Sequence, residues 1–100
     1  MKTTITENNG VVKIAVAGEL DTNTCAQFQS DVAPVKERQG VTVEMDFSEL
    51  EYISSKALRV LISFQQEILA GGGTLTVTNV QPGVREIFDM TGLTASFIKD

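Results

Sequence analysis

The sequence contains no histidine, no tryptophan and a single cysteine, Cys25. Without histidine, Ser/His/Asp and Cys/His nucleophilic constellations cannot be assembled. One thiol and no imidazole also fall short of the usual transition-metal ligand sets. Cys25 has no partner for an intrachain disulfide, which fits a reducing compartment. Positive charge is scarce: eight Lys and Arg stand against thirteen Asp and Glu, the formal net charge is −5, and no basic cluster offsets it. That balance excludes the electrostatic footprint of a nucleic-acid binder. No apolar run approaches the roughly 18 residues of a membrane span, and MKTTITENNG lacks the apolar stretch of a signal peptide. A cytoplasmic protein with no direct membrane binding is expected. Neither GxxxxGK[ST] nor GxGxxG occurs. Gly71–Gly73 follows a predicted helix and precedes a predicted strand, the wrong order for a phosphate cradle, and reads as a helix stop. No catalytic residue, metal site or cofactor is expected, so the chain is not expected to be an enzyme.

With 42% hydrophobic and 21% charged residues, the composition excludes wholesale disorder, and 100 residues predict one domain spanning 1–100. Thr3, Ile5 and Glu7 alternate weakly before a hairpin turn at Asn8-Asn9-Gly10. Val11–Ala17 reads as a strand with Val12, Ile14 and Val16 on one face. Asp21 to Thr24 offer N-caps for a helix striped by Cys25, Phe28, Val32 and Val35. Pro34 is expected to end or kink that helix near Ala33. Val41, Val43, Met45 and Phe47 alternate as a second strong strand, and Thr74–Thr78 is a third. Between them, Ser55 to Ala70 carries a broad helical face. Pro82 and Gly92 bracket a short helix, and Ser96–Ile98 reads as a last, short strand.

The order β-β-α-β-α-β-α-β predicts an α/β fold with a small mixed sheet, its first hairpin antiparallel and the rest parallel. Right-handed crossovers laid down in one direction put the helices mainly on one face. Thr42 and Glu44 would then look out from the wetter side. Loops at the carboxyl ends of parallel strands converge on one rim, where partners usually bind. Here they carry Glu19 and Asp21, then Asp46 through Ser55, then Asn79 through Gln81. Clustered carboxylates admit acid/base work or a divalent-ion site; equally, Asp21 is a helix cap and Asp46 and Glu49 are solvated loop acids. Ser55 admits two readings as well. It is an N-cap worth about 1 kcal/mol, or a phosphate acceptor at an electropositive helix start, with Arg59 one turn on.

The segment MDFSELEYISSKALRVL (Met45–Leu61) resembles the signature of STAS domains, the family of bacterial anti-sigma factor antagonists and sulfate-transporter tails. Members typically show D-[LF]-S-x-[LV]-x-[FY]-[IM]-[DS]-S-[STA]-G-L there. The likeness extends to Gly18-Glu19-Leu20-Asp21 and to GGGTLTVTNVQPGVREIFDMTGL (Gly71–Leu93), so it covers almost the whole chain in the right order. The resemblance implies a STAS-like fold and a switchable binding module. It makes Ser55 the phosphoacceptor, with Ser54 as the alternative, and Asp21, Asp46, Ser54, Lys56 and Arg59 the partner-binding residues. The implied partners are an anti-sigma factor serine kinase of histidine-kinase-like ATPase fold and a metal-dependent serine phosphatase. Unmodified, such an antagonist binds the kinase and frees a sigma factor. The sequence departs from the pattern at Ser54, often Asp, at Lys56, usually small, and at Ala57, usually Gly; many members also continue into a further helix where this chain ends at Asp100. Two other readings stand beside the switch: a non-switching STAS scaffold subunit of a transport complex, such as one moving lipid, and a nucleotide-binding protein using the acidic rim with magnesium.

Overall fold

The opening hairpin shows how local chemistry sets the sheet. Strand β1 (Lys2–Asn8) turns into β2 (Val11–Leu20) through Asn9 and Gly10, whose φ angles of 53° and 80° are both positive. This is the type I′ geometry that Asn-Gly favours and that matches strand twist. The computed structural model describes residues 1–98; the last two positions of the expected 1–100 domain lie outside the described residues. Helix α1 (Cys25–Lys36), β3 (Thr42–Asp46), β4 (Leu50–Ile53), α2 (Ser55–Ala70), β5 (Thr74–Thr78), α3 (Pro82–Met90) and α4 (Thr94–Phe97) follow. The sheet runs β1-β2-β3-β5, with β4 also paired to β2. The β1–β2 ladder is antiparallel and the others are parallel.

Alternation decides which face is covered. Val12, Ile14 and Val16 of β2, Val43 and Met45 of β3, and Leu75 and Val77 of β5 are buried under the helices. Their neighbours Lys13, Glu44 and Thr76 lie in register on the other, uncovered face. Among the described residues the core has no buried polar or charged residue. It closes around two aromatic groups: Phe28 meets Phe64 edge-on at 6.1 Å between α1 and α2, and Phe88 bridges Phe47 and Phe97. Burying a side chain of this size contributes about 2–3 kcal/mol.

Three expectations need correction. First, Leu50–Ile53, read as loop, forms β4 and pairs in parallel with Gly18–Leu20. The pairing depends on a register shift between Gly18 and Glu19, where Gly18 takes a φ of +93° that other residues adopt only with strain. Second, α1 does not end near Ala33 but runs through Pro34 to Lys36. The hydrogen bond that Pro34 cannot make belongs to Ser30, and both residues are exposed, so water can serve that carbonyl while Val35 stays in the core. Third, Ser96–Ile98 is not a strand. Phe97 ends the short helix α4, and Ile98 alone bridges to Val77.

The GGG segment is a helix stop. Gly72 has φ +83°, its N–H donates to Leu69 O at 3.0 Å, and Gly73 N–H donates to Ile68 O at 2.9 Å, a Schellman closure. Gly73 is glycine for a second reason: a Cβ there would lie 2.2 Å from the Val41 carbonyl oxygen.

Candidate functional site

The start of α2 separates the two serines. Ser54 sits in extended backbone at φ −86° and ψ 165°, and its hydroxyl accepts from Ala57 N–H at 3.1 Å. Its backbone is equally committed: Ser54 N–H donates to Leu20 O and Leu58 N–H donates to Ser54 O, both at 2.9 Å. Ser54 is therefore the N-cap that sequence reasoning assigned to Ser55. Ser55 is instead the first helical residue, exposed, with no side-chain hydrogen bond among the described residues. Its own N–H and that of Lys56 belong to the first turn, which no intrahelical carbonyl satisfies. Ala57 is fully buried, so it fixes the helix against the sheet and turns Ser55 and Lys56 outward. Lys56, Arg59, Ser63 and Gln66 continue one exposed polar stripe along α2.

Asp21 stands next to this helix start, because Leu20, paired with Ile53, accepts from Ser54. It caps the turn leading into α1. One carboxylate oxygen, Oδ1, accepts from Asn23 N–H at 2.9 Å and Thr24 N–H at 3.0 Å. Reciprocally, Asp21 N–H donates to Thr24 Oγ1 at 2.9 Å, and that hydroxyl donates to Glu19 O at 2.9 Å. This is a capping box in which Asp and Thr exchange bonds across the turn. The Asp21 backbone follows directly on Leu20, whose carbonyl accepts from Ser54 N–H.

Asp46 is not brought to that point. It pairs in register with Ala15, five residues back along β2 from Leu20, which is about 15 Å of strand. It faces the uncovered side of the sheet and joins two loops: its Oδ1 accepts from Ser48 N–H at 2.9 Å and from the Asn79 amide at 3.4 Å. Gln81 ties the same loops by donating to Ser48 O at 2.8 Å. Partial burial works against the Asp46 carboxylate, but the Ser48 and Asn79 hydrogen bonds and the Lys13 charge outweigh it and hold its pKa below the ordinary value. With Lys2, Thr4, Ala15, Val16, Ala17, Ser48 and Glu49 it lines an open hollow of about 240 Å³. The rim expected to hold Asp21, Asp46 and both serines is thus two places. Among the described residues no group of three or more His, Cys, Asp or Glu could hold a metal ion, and no helix is long and apolar enough to cross a membrane.

Sequence reasoning missed Tyr52, which is 47% exposed on β4 two residues before Ser54. An apolar residue at an outward position of a short strand was invisible while that strand was read as loop. Thr24 is one of the N-cap candidates expected from Asp21 to Thr24, and the structure pairs it with Asp21 across the turn.

Known proteins share this fold. The family profile described as "Mlab, STAS domain" matches residues 3–99. The anti-sigma F factor antagonist of Paenibacillus polymyxa is 31% identical over 88 residues, covering 86% of this chain and 74% of the relative. The anti-sigma-B factor antagonist of Bacillus subtilis is 25% identical over 89 residues, covering 89% and 81%. Among solved structures, the anti-sigma factor antagonist SpoIIAA in its unphosphorylated form superposes with a TM-score of 0.80 at 24% identity, covering 99% of this chain and 87% of that one. Its phosphorylated form, from Bacillus, gives 0.73 at 22% identity, covering 99% and 90%. With the β-β-α opening, the one-sided sheet and a profile match over almost its whole length, this chain belongs to the STAS domain family.

Proposed function

We propose that this chain is a cytoplasmic anti-sigma factor antagonist that works as a phospho-switch at Ser55. Unmodified, it binds an anti-sigma factor that is also a serine kinase, and so releases a sigma factor. The kinase, of histidine-kinase-like ATPase fold, transfers the γ-phosphoryl of ATP to Ser55 Oγ; ADP leaves and the hydroxyl proton passes to a base of the kinase. A serine phosphatase hydrolyses the phosphoester and restores the binding form. The chain supplies no catalytic group to either reaction.

The observation that carries this reading is the division of labour at the helix start. Ser54 is consumed by capping, whereas Ser55 is exposed and its hydroxyl has no partner among the described residues. A phosphate there brings about −1.5 to −2 charges to the positive end of a helix, where it is tolerated without unfolding. Arg59, one turn along, offers a counter-charge. The partner, by contrast, meets a new dianion beside the fixed carboxylate of Asp21. Lys56 and Arg59 complete the contact surface along α2, and Asp46 contributes at a distance by holding the β3–β4 loop.

Site mapping by mass spectrometry after incubation with the kinase and ATP tests the assignment. Ser55→Ala is expected to abolish labelling and Ser54→Ala to retain it. Labelling that persists in Ser55→Ala contradicts the site. If nothing is labelled, and the anti-sigma factor binds wild type and Ser55→Asp equally, the scaffold reading replaces the switch.

A further inference from the structure

Strand β1 is an open sheet edge whose backbone suits pairing with a copy of itself. The type I′ turn makes Asn8 and Val11 a hydrogen-bonded pair. Antiparallel ladders alternate bonded and non-bonded pairs. Counting back along the register, Thr6–Lys13, Thr4–Ala15 and Lys2–Ala17 are bonded, while Glu7–Val12, Ile5–Ile14 and Thr3–Val16 are not. The N–H and C=O groups of Thr3, Ile5 and Glu7 therefore point away from β2, off the edge of the sheet. At the opposite edge the chain covers itself, since Ile98 bridges to Val77 of β5. No described residue pairs with the outer side of β1.

The side chains agree with self-pairing. Ile5 is the middle residue of the seven-residue strand and one of the few large apolar side chains left exposed, at 38%. We propose that two copies of this chain pair antiparallel along β1, about a two-fold axis through Ile5, and form one continuous sheet. In that register Ile5 exchanges both backbone bonds with Ile5 of the second copy, and Thr3 does so with Glu7 of the second copy, about six bonds in all. Ile5 packs on its counterpart, and the Glu7 carboxylate keeps both of its hydrogen bonds from Arg38 of its own copy, at 2.9 and 2.8 Å. Thr4 opposes Thr6 and Lys2 opposes Asn8, so no like charges face each other. One strand pair buries less than the 1,200–2,000 Å² of a stable interface, so the dimer is weak, with a dissociation constant on the order of 10–1000 µM. The two-fold sends the two Ser55 rims to opposite ends of the joined sheet and leaves both open to partners.

Sedimentation from about 10 µM to 1 mM, with amide hydrogen exchange at both ends of the range, tests the pairing. The average mass is expected to rise from 10.8 kDa toward twice that value. Exchange at Thr3, Ile5 and Glu7 should slow with concentration, while Thr4 and Thr6, already bonded to β2, stay unchanged. Ile5→Pro removes the outward N–H at an edge position that tolerates proline, and Ile5→Lys places two charges at the axis; both are expected to stay monomeric at 1 mM while folded. A monomer at every concentration, a dimer that survives both substitutions, or concentration-dependent protection on another element instead would each overturn the proposal.

Discussion

Two adjacent serines differ in what their oxygens do. Ser54 Oγ satisfies the Ala57 N–H, and Ser55 Oγ has no partner among the described residues. Ser54→Ala is therefore expected to cost about 1 kcal/mol in urea unfolding, while Ser55→Ala stays within about 0.5 kcal/mol of wild type. Equal losses at both positions would mean that the two hydroxyls share the cap. The sequence made the pair visible but not its split, because two hydroxyls at a helix mouth are each competent to cap; only the Leu20–Ser54 bond sets the register by one residue. Asp46 has a separate, pH-dependent role. Its folded pKa lies below its unfolded one, so its charge stabilises the fold above the unfolded value and that contribution fades as pH falls through the folded value. The stability gap between wild type and Asp46→Asn should accordingly be wider near pH 6 than near pH 2. A gap that ignores pH would assign the Asp46 role to shape alone.

Elements with a strong period were legible, and those held by context were not. Val41–Phe47 and Thr74–Thr78 announce themselves by alternation, and α2 by its broad apolar face. Strand β4 has only four residues, buried at Leu50 and Ile53 and exposed between them, a pattern without period two. It exists because Gly18 lets β2 shift register and offer a second partner edge. The glycines of two elements give a sharp contrast. Gly73→Ala forces a methyl against the Val41 carbonyl where α2 hands over to β5, and is expected to cost about 2 kcal/mol or more. Gly83→Ala lies in α3 with open space around its Cβ and a φ that any residue adopts; helix propensity predicts a gain of roughly 0.5–1 kcal/mol. Thermal or urea unfolding of both variants checks the pair, and a neutral Gly73→Ala would show that the α2–β5 junction yields.

At the scale of the molecule, one face of the sheet carries the helices and core, and the carboxyl end of β2 and β4 presents α2 to solvent. The parallel crossovers made that arrangement readable from element order alone. What element order could not supply was the separation of Asp46 from Asp21 and the serines, since the intervening β4 pushes them apart along β2. If the message lies in one surface charge at Ser55, phosphorylation should leave the fold alone and change only what binds. The most direct measurement is the affinity of the anti-sigma factor for wild type and for Ser55→Asp, with unfolding followed on the same samples. Binding is expected to weaken by at least about tenfold with stability within about 0.5 kcal/mol of wild type. Equal affinity, or weaker binding accompanied by a destabilised fold, would contradict the switch at Ser55.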